Sequence, residues 1–272
     1  MRIKPFSYAP SSDEINAFGT DRLSSDAILR PSAVIDYGAE CRRAGDRSSD
    51  FFDIVSLDDA ELRVFIGDVS APSPIGAGII TSGVRTYLSN LSAKPSGELP
   101  AVVHGLNRAL SGISPEDFYI TLFYAHIDPA RRQLRYISAG HEPVLLYRRS
   151  SNQLRRLENT GTVLGLSARS VFRQKTAFAE PGDTLIAFTD GITETAGTAG
   201  ESFREEDIVR LLHQYPRARA AELSARIMDA SEEFRRGCPT SDDRTVLVVR
   251  WLDSAARFRD VECVADLAMA AA

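Results

Sequence analysis

The stretch "DFYITLFYAHIDPARRQLRYISAGHEPVLLYR", residues 117–148, sets the architecture. Read with "QLRRL" at 153–157, it holds four β-rich runs, cut by turn signals such as Asp128-Pro129. Strands in such quick succession leave no room for crossover helices, so a meandering antiparallel pairing is expected. Upstream, "FFDIVSLDDAELRVFIGDV" reads as a hairpin turning at Leu57-Asp58-Asp59-Ala60. Ser73 and Pro74 then suit an N-cap and first helical turn, and Ile75, Ile79, Val84 and Leu88 recur at roughly helical spacing. A second helix is expected from about Glu98 to Leu110, with Val102, Leu106 and Leu110 on one face. Downstream come strands near Val171 to Phe178 and Thr184 to Thr189, helical sequence over 205–236, and a last strand from Thr245 to Trp251. Antiparallel strands with helices before and after them point to an α+β layered sandwich. One domain over residues 31–252 is expected, with an N-terminal arm at 1–30 and a C-terminal tail at 253–272.

Bulk properties narrow the function. The chain has 272 residues and a formal net charge of −5, with arginines scattered among acids, so it lacks the basic footprint of a nucleic-acid binder. Cys41, Cys238 and Cys263 make neither a disulfide framework nor a zinc ligand set, and a reducing compartment is expected. The opening "MRIKPFSYAPSSDE" has no apolar core of a signal peptide, and no run of 18 apolar residues occurs. A cytoplasmic protein with no membrane partner is the resulting expectation.

Acids at strand ends carry the functional reading. Asp190 follows the apolar run of "DTLIAFTDGITE", residues 183–194, Asp68 ends "LRVFIGD", Asp50 opens "DFFDIV", and Asp242 and Asp243 open "RTVLVV". Asp-Gly after a strand also makes an ordinary turn, because glycine accepts positive φ. If these ends meet, however, carboxylates about 4 Å apart repel by roughly 4 kcal/mol per pair at an effective dielectric near 20. Protonation of the acids or cations between them relieve that cost, the second more commonly. Aspartates without a Cys or His set favour a hard, oxygen-preferring ion, Mg²⁺ or Mn²⁺. Two such ions activate water for in-line attack at phosphorus. Gly67, Gly191 and Ser49 beside the acids are read as leaving room for metals, water and a phosphate.

At these residues the sequence resembles the metal-dependent PPM protein phosphatases, the type 2C class, in their bacterial SpoIIE/RsbU-like branch. "SSDFFD" at 48–53 is similar to the family's Gly-Gly-Asp-Phe-Tyr-Asp, and "GDVS" at 67–70 matches its Gly-Asp-Val-Ser. "SAGHEP" at 138–143 stands where the family has Asn-Ala-Gly-His-Pro-Pro. "LGL" at 164–166, "PGDTLIAFTDGITE" at 181–194 and "DDRTVLVVR" at 242–250 follow in order. The resemblance implies two mainly antiparallel sheets flanked by helices, an α-β-β-α sandwich. It also implies two Mn²⁺ or Mg²⁺ ions and hydrolysis of phosphoserine or phosphothreonine. Carried over, Asp68 bridges both ions with the Val69 carbonyl as a further ligand. Asp190 and Asp242 complete one shell, and Asp50 reaches the other ion directly or through water. Asp242 lies three residues before Thr245 as in the family, and Asp243 stays open as its substitute.

Departures from the family pattern are local. Ser48-Ser49 replaces a glycine pair, and Ala71-Pro72-Ser73-Pro74 replaces Gly-His/Lys-Gly after "GDVS". Proline stiffens that turn and removes backbone donors, and no histidine there can protonate a leaving group. His141 is the other candidate acid, although a hydrogen-bonded loop histidine is the plainer reading. His104, His126 and His213 are expected in core or surface roles, and Glu194 as a solvated acid. Arg42, Arg43 and Arg47 lie near enough in sequence to Asp50 to be weighed as phosphate contacts. By analogy with the branch, the substrate is a phosphorylated anti-sigma-factor antagonist of the STAS type. The alternatives are a catalytically weak or inactive phosphatase-like binding module in the same kind of pathway, and a small-molecule phosphoesterase with the same metal site.

Overall fold

The computed structural model describes residues 34–45, 48–57, 61–71, 74–94, 98–112, 118–198, 200–238 and 242–252. The expected arm at 1–30 and tail at 253–272 lie outside them. Ten strands form two five-stranded antiparallel sheets. One has the order β1-β10-β9-β6-β7: β1 (Ile35–Arg42), β6 (Val144–Arg148), β7 (Gln153–Leu157), β9 (Thr184–Phe188) and β10 (Arg244–Trp251). The other has the order β2-β3-β4-β5-β8: β2 (Asp50–Ser56), β3 (Leu62–Ser70), β4 (Tyr119–Asp128), β5 (Gln133–Ala139) and β8 (Lys175–Phe178). Helices α1 (Pro74–Ser92) and α2 (Leu99–Ser111) cover the second sheet. A short turn of helix, α3 (Asp190–Thr193), precedes α4 (Glu205–Gln214) and α5 (Ala220–Arg235), and these last two cover the first sheet.

Side-chain alternation builds three apolar layers. On β3, Leu62, Val64 and Ile66 meet Leu247, Val249 and Trp251 of β10 in the inter-sheet core. Phe65 and Val69 point the other way, against Leu88 of α1 and Val102, Val103 and Leu106 of α2. Val246 and Val248 of β10 pack outward on Ile208, Leu223 and Ile227. Parity then places Asp50, Asp68, Thr189 and Thr245 on the inward faces, at one mouth of the sandwich.

Three expectations are corrected. The meander breaks between β5 and β6: the chain crosses from one sheet to the other through Gly140–Pro143, and β6 pairs with β7 and β9 instead. The strand expected from Val171 shrinks to Lys175–Phe178, because Phe172 turns into the helix-side core against His104, with ring centroids 5.4 Å apart. Ile79 is 65% exposed, whereas Ala77, Thr81, Val84 and Leu88 are buried. The reason is angular: a five-residue step from Ile79 to Val84 rotates a helix by about 140° past a full turn, off the buried stripe.

That register makes a prediction for urea unfolding. Ile79→Ser changes stability by less than about 0.5 kcal/mol. Leu88→Ala costs about 2–5 kcal/mol. Equal losses at both positions would put Ile79 in the core.

Candidate active site

The site begins with a hydrogen-bonded clamp between the sheets. Asp50 of β2 is 6% exposed. Its Oδ2 accepts from Thr189 Oγ1 at 2.8 Å and from Thr245 Oγ1 at 2.6 Å, both on the opposite sheet. The Thr245 amide in turn donates to Thr189 Oγ1 at 3.0 Å. Asp68 is the register partner of Asp50 across β2 and β3. Burial pushes the Asp50 carboxyl well above the usual carboxylate range, the Asp68 charge adds to that, and the two hydroxyl bonds oppose it.

Asp68 is pushed up to about 6, first by burial. The Asp242 and Asp190 charges add to this, while hydrogen bonds from the Ser49 hydroxyl and Val69 backbone pull it down. Asp242 is raised by burial and by Asp190, Asp243 and Glu194. The four aspartates therefore feel one another electrostatically at one mouth. Among the described residues, Asp68 Oδ1 and Asp190 Oδ1 are buried without a protein hydrogen-bond partner. Buried anionic oxygens facing like charges are the donor set that a hard cation satisfies. Among the described residues no three acidic, His or Cys side chains close into a finished ligand shell. Mutual repulsion and the turn of Asp50 towards its threonines are consistent with that spread.

The neighbouring residues sort themselves. Asp243 is buried, and its two oxygens accept from Ala44 N at 2.7 Å and Ser49 N at 2.8 Å. It thus anchors the loop between β1 and β2, while the charge of Asp242 raises Asp68 and that of Asp190 raises Asp242. The Val69 side chain points into the helix-side core and its amide donates to the Ser49 carbonyl at 3.2 Å. Asp190 opens α3, and Gly191 is helical there, without positive φ. Glycine is needed for another reason: a Cβ at 191 would sit 1.9 Å from the Asp243 carbonyl oxygen. Likewise a Cβ at Gly67 would meet the Thr121 carbonyl oxygen at 2.2 Å. Both glycines make room for neighbouring backbone, not for metals or phosphate.

His141 is buried and its pKa falls to about 3 through desolvation, so it is neutral near pH 7 and no imidazolium acid. Arg42 is committed to Asp229 and lies 3.8 Å from Glu40, and Arg47 falls outside the described residues. His126 sits between Glu61 and Arg135, and His213 bonds Asn152. Glu194 caps α3, its amide donating to the Asp190 carbonyl at 2.7 Å. Sequence reasoning missed Thr189, Thr245 and Thr121. The signal was strand parity: Thr245 shares the inward face with Leu247 and Val249, where a lone hydroxyl needs a polar partner. Glu142 was missed too; it is half-buried, and its carboxyl is raised by burial and by Asp190, Glu205 and Glu194.

Residues 58–252 match the family described as Stage II sporulation protein E (SpoIIE). The chain belongs to the SpoIIE family. Phosphoserine phosphatase RsbU of Bacillus subtilis (strain 168) is 30% identical over 218 residues, covering 80% of this chain and 63% of RsbU. The chain thus spans less than two thirds of that relative. In fold it is similar to the RsbU and RsbW domains of a Mycobacterium tuberculosis protein, with a TM-score of 0.66 at 23% identity, over 80% of this chain and 60% of that one. It is also similar to the catalytic domain of serine/threonine protein phosphatase PstP in complex with two manganese ions, with a TM-score of 0.59 at 19% identity, over 81% and 99% of the chains. The helices of this SpoIIE-family chain include none long and apolar enough to cross a membrane, among the described residues.

The raised Asp68 carboxyl is a cost to the metal-free fold. A folded pKa near 6 against an unfolded value near 4 penalises the native state above pH 6 by an amount on the order of 2–3 kcal/mol. The penalty fades as pH falls through 6 towards 4. His141, with its folded pKa depressed, acts oppositely, losing stability below about 6.5, and the raised carboxyls of Asp50, Asp242 and Glu142 contribute as well, so absolute curves mix several groups. The difference between variants separates them. In EDTA, Asp68→Asn is more stable than wild type at pH 7.5, and the gap closes towards pH 4. A gap that stays constant with pH in denaturant titrations would refute the assignment.

Proposed function

We propose that this chain is a Mn²⁺- or Mg²⁺-dependent protein serine/threonine phosphatase, hydrolysing phosphoserine or phosphothreonine. The observation that carries it is the gathering of Asp50, Asp68, Asp190 and Asp242 at one mouth, with buried Oδ1 atoms on Asp68 and Asp190 that no donor among the described residues satisfies. Two ions held there supply an activated water and neutralise phosphate charge.

The chain's own residues do the placing. Asp68, at the end of strand β3, would be the carboxylate shared by both ions, with the Val69 carbonyl as a further ligand. Asp190 on α3 and Asp242 before β10 approach from the other sheet. Asp50 has one oxygen held by Thr189 and Thr245, which leaves the other to face an ion directly or through water. Neutral His141 does not donate as an acid, so the departing serine oxygen takes its proton from water.

Relatives support the substrate class. RsbU is named a phosphoserine phosphatase, and the mycobacterial structure joins RsbU and RsbW domains in one protein. The proposed substrate is a phosphorylated anti-sigma-factor antagonist of the STAS type in a partner-switching circuit, met in the cytoplasm.

The test is hydrolysis of p-nitrophenyl phosphate and of a phosphoserine peptide with Mn²⁺ titrated in. Wild type turns over in a metal-dependent way, and Asp68→Asn and Asp190→Asn each lose at least about 100-fold in kcat/KM, a loss of roughly 2.7 kcal/mol in transition-state stabilisation. Folded wild type with no turnover at any metal concentration would leave a binding module of the same fold.

A further inference from the structure

A chain of two hydrogen bonds runs behind Asp68. Its backbone amide donates to Thr121 Oγ1 at 3.1 Å, and Thr121 Oγ1 lies 3.3 Å from His141 Nδ1. A hydroxyl has one proton and two lone pairs. Thr121 receives the Asp68 amide on a lone pair, so its proton is available to Nδ1. Nδ1 accepts it when the imidazole is neutral and carries its own proton on Nε2. Nε2 is itself buried and meets no partner among the described residues. Among the described residues the imidazole thus has one contact of this kind, and it leads to the Asp68 backbone.

The fold goes to some length to place this ring. Thr121 is the register partner of Asp68 across β3 and β4. His141 follows β5 by two residues, where the chain leaves one sheet for the other. Gly140 makes that departure at φ +65°, and a Cβ there would lie 2.3 Å from Val163. A residue with a side chain is disfavoured twice over, by the strain of that conformation and by the lack of space. The result is a neutral histidine, 2% exposed, inserted beneath the aspartate strand.

We infer that Thr121 and His141 are positioning residues for the metal centre, which act as one unit to fix the backbone from which the Asp68 carboxylate reaches the ions. This rests on the metal-dependent reading above. Partners of this sort that orient a ligand typically change metal affinity 10- to 100-fold when removed.

Isothermal titration of Mn²⁺ into the metal-free full chain tests it, with thermal melts run alongside. Thr121→Val and His141→Leu each raise the Mn²⁺ Kd about tenfold. Thr121→Ser keeps the hydroxyl and His141→Asn keeps an acceptor near the Nδ1 position, and both stay within about threefold of wild type. The double variant Thr121→Val/His141→Leu binds no more weakly than the worse single, because both changes break one chain. Wild-type Mn²⁺ affinity in a folded Thr121→Val or His141→Leu overturns the inference, as do effects that multiply in the double variant. If His141→Leu does not fold, Thr121→Val against Thr121→Ser decides alone. Wild type that takes up no Mn²⁺ overturns the metal reading itself, and this inference with it.

Discussion

The contact on which the site depends is the pair of hydroxyl bonds from Thr189 and Thr245 to one oxygen of Asp50. Two sheets packed through Leu, Val and Ile side chains are held at a set distance but are free to slide, since apolar contact has no direction. A carboxylate bound by two hydroxyls is directional. It fixes β2 against β9 and β10 at the end of the sandwich where the aspartates converge. Asp243 extends the tie by holding the amides of Ala44 and Ser49, and so sets where β2 begins.

Strand β3 is the second constraint. At one end the buried Arg63 guanidinium donates to the carbonyls of Leu91, Ser92 and Lys94, where α1 terminates. This satisfies acceptors that a helix end leaves unpaired and complements its dipole. At the other end Asp68 carries the site. Gly67 lets β4 approach closely beside that aspartate, and Gly191 does the same for the strand behind Asp190. The acids are crowded because the backbone is crowded.

Periodicity made the layers legible in the sequence: strands β4 to β7 and helices α2, α4 and α5 stand where their apolar spacing puts them. The α+β reading survives in the two antiparallel sheets and their helical covers. Local pattern could not say that β5 and β6 part company, because Val144 and Leu146 would be equally satisfied in either sheet. It also put Ile79 on the buried face, since a stripe with a five-residue gap still looks helical in a list. At the mouth, the aspartates were readable as strand-end acids, but their supports were not. Thr189, Thr245 and Thr121 are common strand residues, and only pairing across sheets turns their hydroxyls inward to a carboxylate or an amide. Asp242 and Asp243 are adjacent residues of one type, and the bonds that Asp243 accepts from the Ala44 and Ser49 amides, which no local pattern announces, mark it as the loop anchor.

The pairing of β1 with β10 has a consequence for how the protein comes to exist. Ile35 sits opposite Trp251, and the Leu252 amide donates to the Val34 carbonyl at 2.8 Å. The first and last strands described here are therefore neighbours separated by nearly the whole domain. Contacts of such sequence separation close late, since the loop entropy must be met before they return anything. A chain emerging from the ribosome can assemble β2 to β5 beneath α1 and α2, but its other sheet stays open until residue 251 is released. Slow completion of that sheet, with β9 exposed along one edge in the interval, is when this protein is most open to aggregation and to chaperones.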